Sequence, residues 1–240
     1  MTIAFAALFF LYLAQSVYAN YVTEPEEGEK VPVTQPRKWA FLLQSPLFVL
    51  SCILAAGYGV FSRDLVSPFY IPIGLVLGHF LFGFSLLVTH RELRDAAAHV
   101  LDWQALWHFL VENPNLLFRF VAVSFTEEII YRAVAQPLLI GWTSSVAVGI
   151  VLTAAAFSVV HWHFFRNPFG QSLEFFAFSL LLGGLYLLTG SLSLVVVIHT
   201  VRNLEIVYLE YIIKVEELGD ESRAMEALEA QYARRTEPQT

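Results

Sequence analysis

Long stretches of this chain contain no charged residue, and this pattern constrains the fold more than any other feature of the sequence. Crossing a bilayer as a helix takes about 20 predominantly apolar residues. Five blocks of at least that length lack Asp, Glu, Lys and Arg altogether: Met1–Thr23, Trp39–Ser62, Leu65–His90, Ala133–Phe165 and Phe175–Val201. The sequence therefore predicts an all-α, polytopic integral membrane bundle.

The composition agrees with this prediction and excludes other classes of protein. Of the 240 residues, 57% are hydrophobic and 15% are charged, against about 45–50% and about 25% in soluble domains. The net charge of −7 is spread over loops and tail without a basic stripe, so nucleic acid is not an expected partner. The single cysteine, Cys52, rules out an internal disulfide and a cysteine-based metal cluster.

Hydrophobic segments and their flanks predict about seven transmembrane helices plus one interfacial helix. The spans are predicted near residues 2–20, 39–61, 66–90, 116–140, 143–165, 172–190 and 191–213. The segment Arg91–Val111 alternates charged and apolar residues at helical spacing, which predicts an amphipathic helix at the membrane surface. Met1–Thr23 lacks a positively charged leading region, so we interpret it as a first transmembrane helix rather than a removed signal peptide.

This arrangement predicts three regions and an orientation. Residues 1–114 hold N-terminal transmembrane helices, the polar linker 23–38 and the interfacial helix; residues 115–213 form a transmembrane core; residues 214–240 form a charged, helix-prone tail. The positive-inside rule places loops rich in Lys and Arg in the cytoplasm. With seven spans, one face carries Lys30, Arg37, Lys38, Arg91, Arg94, Arg166 and Lys214, and the other only Arg63. The N-terminus is therefore predicted outside and the tail in the cytoplasm.

The fourth predicted span carries charge close to its middle, over residues 125–132. An ionisable group at the centre of a membrane helix costs roughly 2.5–3.5 kcal/mol on insertion scales and usually marks function. Glu128 and Arg132 are four residues apart and are predicted to pair on one helix face. Glu127 is rotated by about 100° from Glu128, so this ion pair does not account for it. Glu127 is therefore a candidate general base.

Two later spans offer polar partners for Glu127. His161 lies in the fifth span, and His199 and Asn203 lie four residues apart on one face of the seventh. Each polar group costs insertion energy, and three such elements on three spans are predicted to line one cavity.

Five other polar positions have a structural interpretation. His79 and His90 lack a matching context and are expected to be packed, hydrogen-bonded residues. His163 is about 200° from His161 on a helix, which predicts an interfacial position. Arg202 and Glu205, three residues apart, are predicted to pair with each other.

The three motifs together resemble a known family. Glu127-Glu128-x-x-x-Arg132, then Phe157-x-x-x-His161, then His199-x-x-x-Asn203, in this order on successive apolar segments, are similar to the CAAX protease and bacteriocin-processing family. That family includes the type II CAAX prenyl endopeptidases. The similarity covers roughly residues 115–210, and the N-terminal spans are not diagnostic.

The resemblance implies a helical intramembrane protease with a conical cavity open toward the cytoplasm. It implies that Glu127 and His161 activate a water that attacks the scissile carbonyl. His199 and Asn203 would stabilise the oxyanion, and Glu128 and Arg132 would brace the helix that carries Glu127. The expected substrate is a membrane-embedded or lipid-modified peptide with a C-terminal CAAX-type sequence, a sorting tail or a leader segment.

Three alternatives stay open at this stage. Glu127, His161 and His199 are a legitimate ligand set for catalytic zinc, although His-Glu-x-x-His is absent and Asn203 suits an oxyanion hole better. A metal-free glutamate mechanism without a cofactor is preferred. A non-catalytic immunity or scaffolding protein would be expected to have lost one of the motif positions, and all are present. A proton-coupled transporter would be expected to show internal repeats, and none is evident.

Overall fold

The computed structural model describes residues 3, 6–7, 9–11, 13–14, 38–57, 59–61, 68–90, 98 and 101–236. These residues contain helices and connecting turns but no strand, which confirms the prediction of an all-α protein. The helices are α1 (Lys38–Gly57), α2 (Tyr70–His90), α3 (Trp103–Glu112), α4 (Pro114–Glu128), α5 (Gln136–Thr143), α6 (Val146–Val159), α7 (Phe169–Thr189), α8 (Leu192–Leu218) and α9 (Glu221–Thr236). A π-helical segment, Ile129–Ala135, joins α4 to α5, and a 3-10 turn, Trp162–Phe165, follows α6.

Several helices have the apolar character of membrane spans, and the chain is a membrane protein. Within the described residues, α2 over Tyr70–Thr89, α7 and α8 are long and apolar enough to cross a bilayer. Phe48–Gly57 of α1 and all of α6 are apolar but shorter. The predicted total of seven spans is therefore not established, and the division into three regions stays a prediction.

Two predicted helix boundaries differ from the structure. The predicted break between the fourth and fifth spans falls at residues 141–142, but Gly141 lies inside α5. The break falls at Ser144, whose left-handed φ of 52° ends α5 and whose neighbour Ser145 caps α6. The fifth span was predicted to continue to residue 165, yet α6 ends at Val159. Between α7 and α8, Gly190 adopts a φ of 64° and confirms the predicted break.

Helix α8 lies at the centre of the bundle and packs closely along α2. A Cβ at Gly74 would lie 2.9 Å from the Cβ of Val197, and a Cβ at Gly78 would lie 2.9 Å from the Cβ of Val201. Only glycine permits such an approach at these two positions, a device that membrane helices use because lipid gives no hydrophobic drive between them. The spacing of the two glycines therefore fixes how α8 sits against α2.

A smaller apolar cluster joins α3 and α9 to the far end of α8. Phe109 of α3 packs against Tyr208 of α8, with ring centroids 5.3 Å apart, and Leu228 of α9 is fully buried in the same cluster. Trp103 and Trp107 face outward on α3, as expected for an amphipathic helix. Most of the predicted interfacial segment before residue 101, and nearly all of the linker 23–38, lie outside the described residues. The predicted helical character of the tail is confirmed as far as residue 236.

The first apolar block packs into the same bundle. Its described residues between positions 3 and 14 are helical. Phe9 is buried, with its ring edge-on to Tyr131 of the π segment at 6.0 Å.

Candidate active site

The candidate residues converge from three parts of the chain. Glu127 and Glu128 end α4, His161 follows α6 in a bend, and His199 lies in the first half of α8. The structure brings all four side chains into one cluster. Their roles in catalysis stay predictions.

Glu127 lies between two imidazole rings. Its Oε1 is 3.8 Å from His161 Nε2, and its Oε2 is 3.6 Å from His199 Nε2. These separations exceed an N–H···O hydrogen bond, and polar atoms at such distances are often bridged by water. The Glu127 side chain is 20% exposed, whereas Glu128 is fully buried. Glu127 is thus the carboxylate of the pair that a substrate can reach.

The His161 ring is held by the backbone of α6. Its Nδ1 lies 2.6 Å from the carbonyl oxygen of Phe157. A carbonyl oxygen only accepts, so Nδ1 carries the hydrogen and donates it. In the neutral ring, Nε2 then presents a lone pair toward Glu127. Because His161 lies beyond the end of α6, the helical geometry that placed His163 on another face does not apply, and the His163 side chain is outside the described residues.

Glu128 contacts two basic groups rather than one. Its Oε2 accepts a hydrogen bond from Arg132 Nε at 2.9 Å, which confirms the predicted pair. Its Oε1 lies 2.7 Å from His199 Nδ1, a contact that the sequence did not indicate. With Nδ1–H donated to Glu128, His199 Nε2 points toward Glu127. Carboxylates commonly orient a histidine and stabilise its charged form in this way.

Arg132 is fully buried and anchors the cluster to α7. Its Nη2 donates to Ser179 Oγ at 2.9 Å, and its guanidinium lies 5.4 Å from the centre of the Phe157 ring. A buried ion pair is costly to break, because removing one partner leaves an uncompensated charge. The Glu128–Arg132 pair therefore ties α4 to the interior around the site.

The π segment that follows the glutamates has a local cause. Pro137, near the start of α5, has no N–H to donate and its ring crowds the preceding turn, so a regular α-helix cannot continue through it. Short π segments occur frequently at functional sites. The buried Gln136 side chain, next to this segment, donates to the carbonyl of Gly183 on α7 at 2.9 Å. Pro137 was the available sequence signal for this irregularity.

Asn203 lies one turn beyond His199 and faces α4. Its Nδ2 donates to Ser124 Oγ at 3.4 Å, and Ser124 is fully buried one turn before Glu127. Sequence analysis did not single out Ser124, although its spacing of three residues places it on the Glu127 side of α4. The contact leaves Asn203 with a second amide hydrogen to donate.

The predicted pair between Arg202 and Glu205 is wrong. Arg202 Nη2 donates to Glu174 Oε2 on α7 at 2.7 Å, and Glu205 Oε1 lies 2.7 Å from His79 Nδ1 on α2. The two side chains point to different neighbouring helices, so tertiary packing overrides their spacing along α8. His79 is hydrogen-bonded, as expected for a structural histidine; the His90 side chain is outside the described residues.

Aromatic rings surround the cluster. The Phe157 ring lies 4.6 Å from His161, 5.8 Å from His199 and 5.5 Å from Phe175, measured between ring centroids. Such a wall lowers the local dielectric constant and so strengthens electrostatic interactions within the site.

The zinc alternative depends on which donor atoms the site offers to a metal ion. Glu127 and the two Nε2 atoms are chemically suitable ligands, and each Nδ1–H is donated to a neighbour as in metal-bound histidines. A search of the described part of the chain for groups of three His, Cys, Asp or Glu side chains placed to hold a metal ion finds none.

Comparison with known families agrees with the motifs. Residues 103–204 match the family model described as Type II CAAX prenyl endopeptidase Rce1-like. This segment of the chain is therefore similar to the Rce1-like family. It runs from α3 into α8 and contains Glu127, His161, His199 and Asn203, so the predicted resemblance to the CAAX protease family is confirmed over these residues. The description of the matched family is that of an endopeptidase. Comparisons with curated proteins and with solved structures gave no match.

Proposed function

We propose that the chain is an intramembrane endopeptidase that hydrolyses a peptide bond of a membrane-associated substrate. The observation that carries the proposal is the position of Glu127 between two imidazole Nε2 atoms, each ring fixed through its Nδ1. The Rce1-like match adds the reaction class and favours a substrate with a C-terminal CAAX-type sequence. Sorting tails and leader segments are the other substrate candidates.

The proposed reaction begins with a water held between Glu127 and His161. The His161 Nε2 lone pair accepts one hydrogen of the water and so orients it. The Glu127 carboxylate takes the other proton as the water oxygen bonds to the scissile carbonyl carbon. When the tetrahedral intermediate collapses, the carbon–nitrogen bond breaks and Glu127 returns its proton to the departing amine.

The negative charge on the carbonyl oxygen requires donors. Asn203 has an amide hydrogen to give, while His199 donates through Nε2 only when its ring is protonated, because its Nδ1–H is already given to Glu128. The buried carboxylate of Glu128 stabilises that imidazolium. In this proposal Glu128 serves catalysis through His199, and Arg132 holds Glu128 in place. Oriented donors of this kind contribute about 3–4 kcal/mol each in other hydrolases.

The proposed topology retains seven spans, with the N-terminus outside and the tail in the cytoplasm. Helices α2, α7 and α8 support the membrane location. Loop charges support the orientation, with Arg166 and Lys214 on the same side. The catalytic cavity would then open toward the cytoplasm.

Comparative peptidomics of membranes tests the proposed function and identifies the substrate. Membranes containing the wild type should accumulate a cleaved peptide that is absent with Glu127→Ala. His161→Ala and His199→Ala should abolish the same cleavage while the protein still inserts. Full cleavage by Glu127→Ala would refute the mechanism and leave the non-catalytic scaffold as the better interpretation.

Chelation separates the glutamate mechanism from its zinc-dependent alternative. We expect the purified protein to keep its activity after treatment with 1,10-phenanthroline and removal of the chelator, because Glu127 and His161 activate the water without a metal. Lasting inactivation that added zinc reverses would establish the zinc form, in which the metal lowers the pKa of its bound water.

A further inference from the structure

Arg202 is a charged residue beside the candidate site that the proposed mechanism does not use. We propose that it is a substrate-binding residue that recognises the C-terminal carboxylate of the substrate, which replaces Glu174 as its partner. The inference rests on the proposed function and adds to it a residue that favours a free C-terminal carboxylate over a blocked one.

Hydrogen bonding of Arg202 is incomplete. Its Nη2 donates to Glu174 Oε2 at 2.7 Å, but its Nε, which is buried, has no hydrogen-bond partner among the described residues. A buried donor without an acceptor costs about 1–3 kcal/mol. The Arg202 and Glu174 side chains are 11% and 14% exposed, so the pair reaches the surface of the site. A ligand that engages both Nε and Nη2 would remove this deficit.

The guanidinium shares aromatic neighbours with both candidate histidines. It lies 4.7 Å from the centre of the Phe178 ring and 5.5 Å from that of Phe175. The Phe178 ring in turn lies 6.2 Å from His199, and the Phe175 ring 5.1 Å from His161. Arg202 is therefore next to the rings that enclose the reacting groups.

These contacts also bound the distance between Arg202 and the candidate catalytic groups. By way of Phe175, the guanidinium is within roughly 11 Å of the His161 ring, which is about the reach of three extended residues. A short C-terminal peptide with its carboxylate on Arg202 can therefore reach the candidate catalytic groups.

Exchanging the Glu174 carboxylate for that of the substrate keeps the charge of Arg202 neutralised. Arginine binds a carboxylate best through two parallel N–H···O bonds, and Nε with Nη2 forms such an edge. In the free protein, Glu174 neutralises Arg202; on binding, the substrate carboxylate takes that place. Glu174 lies in the second turn of α7, near the exposed residues Phe169 and Gly170, so the displaced carboxylate returns to water.

Two S-farnesylated CAAX-type peptides, identical except for a free carboxylate or a carboxamide at the C-terminus, test the inference with purified protein in lipid nanodiscs. The wild type should cleave the acid with a kcat/KM higher by on the order of 10- to 100-fold, mainly through KM, as expected for hydrogen bonds to a charged group. Arg202→Gln should lose this preference and still cleave the amide. Glu174→Gln should lower KM for the acid only, because it removes the competing carboxylate.

The two variants are expected to change the KM for the acid peptide in opposite directions. This distinguishes substrate recognition from a structural clamp, a contact that only holds α7 and α8 together. A clamp would make both variants worse toward both peptides, and that result overturns the inference. Arg223→Gln, on the exposed face of α9, is the matched control and should behave as wild type. Equal cleavage of acid and amide by the wild type, still abolished by Glu127→Ala, would refute the inference and leave the proposed function standing. If the wild type cleaves neither peptide, prenylated C-terminal peptides are excluded as substrates and the inference is refuted.

Discussion

Replacing Glu127 with glutamine should reduce kcat by about 10²- to 10⁴-fold, the usual contribution of a general base. Glutamine keeps the size of the side chain, so the spacing between His161 and His199 is preserved. It cannot take a proton from water, and the loss should therefore appear in kcat with KM little changed. Cleavage of a fluorogenic peptide by purified protein measures both constants.

Glu112→Gln is the matched control for this substitution. Glu112 is exposed on α3 and pairs only loosely with exposed His108, at 3.1 Å, so the same change of charge should leave activity and folding unaltered. If Glu127→Gln retains wild-type kcat, Glu127 is not the base and the mechanism is wrong. If it loses activity but also unfolds, the comparison with Glu112→Gln will show that the effect is structural.

Replacing Arg132 with methionine should destabilise the protein by about 3–5 kcal/mol, the usual consequence of leaving one member of a buried ion pair without its partner. Glu128 would remain fully buried with only His199 to balance its charge. Arg132→Met would also leave Ser179 without its donor. Unfolding in detergent, followed by circular dichroism against Arg223→Met as a surface control, measures the difference.

The double variant Glu128→Gln/Arg132→Met separates stability from catalysis. Removing both charges should recover part of the lost stability, because no buried charge then lacks a partner. Activity should stay low, because His199 has lost the carboxylate that stabilises its protonated ring. Recovery of activity in the double variant would show that Glu128 only braces the helix, as the sequence alone had indicated.

Local spacing predicted some of this site and could not predict the rest. Glu128 and Arg132 pair as expected because both partners lie on one helix face. The Glu128–His199 contact joins residues far apart in sequence, and only the packing of α4 against α8 creates it. The predicted pair of Arg202 with Glu205 is wrong for the same reason, because Arg202 pairs with Glu174 on α7 instead.

Helix boundaries show a similar division. Gly190 adopts a left-handed backbone conformation, and a glycine at this position was a sequence signal for the end of α7. In contrast, α6 ends at Val159 within an apolar run that gives no such signal. That early end matters, because it frees His161 from the helical face and lets its ring bond to the Phe157 carbonyl. Hydrophobicity identified the apolar segment but not where its helix stops.

The close approach of α8 to α2 affects how the protein responds to membranes of different thickness. At Gly74 and Gly78 the two helices touch almost backbone to backbone, and the contact between His79 and Glu205 adds a polar lock farther along. A helix held mainly by surrounding lipid would shift along the membrane normal as bilayer thickness changes. Here the position of His199 is set by its neighbour α2, so we expect His199 to keep its depth relative to α2 in thin and thick bilayers.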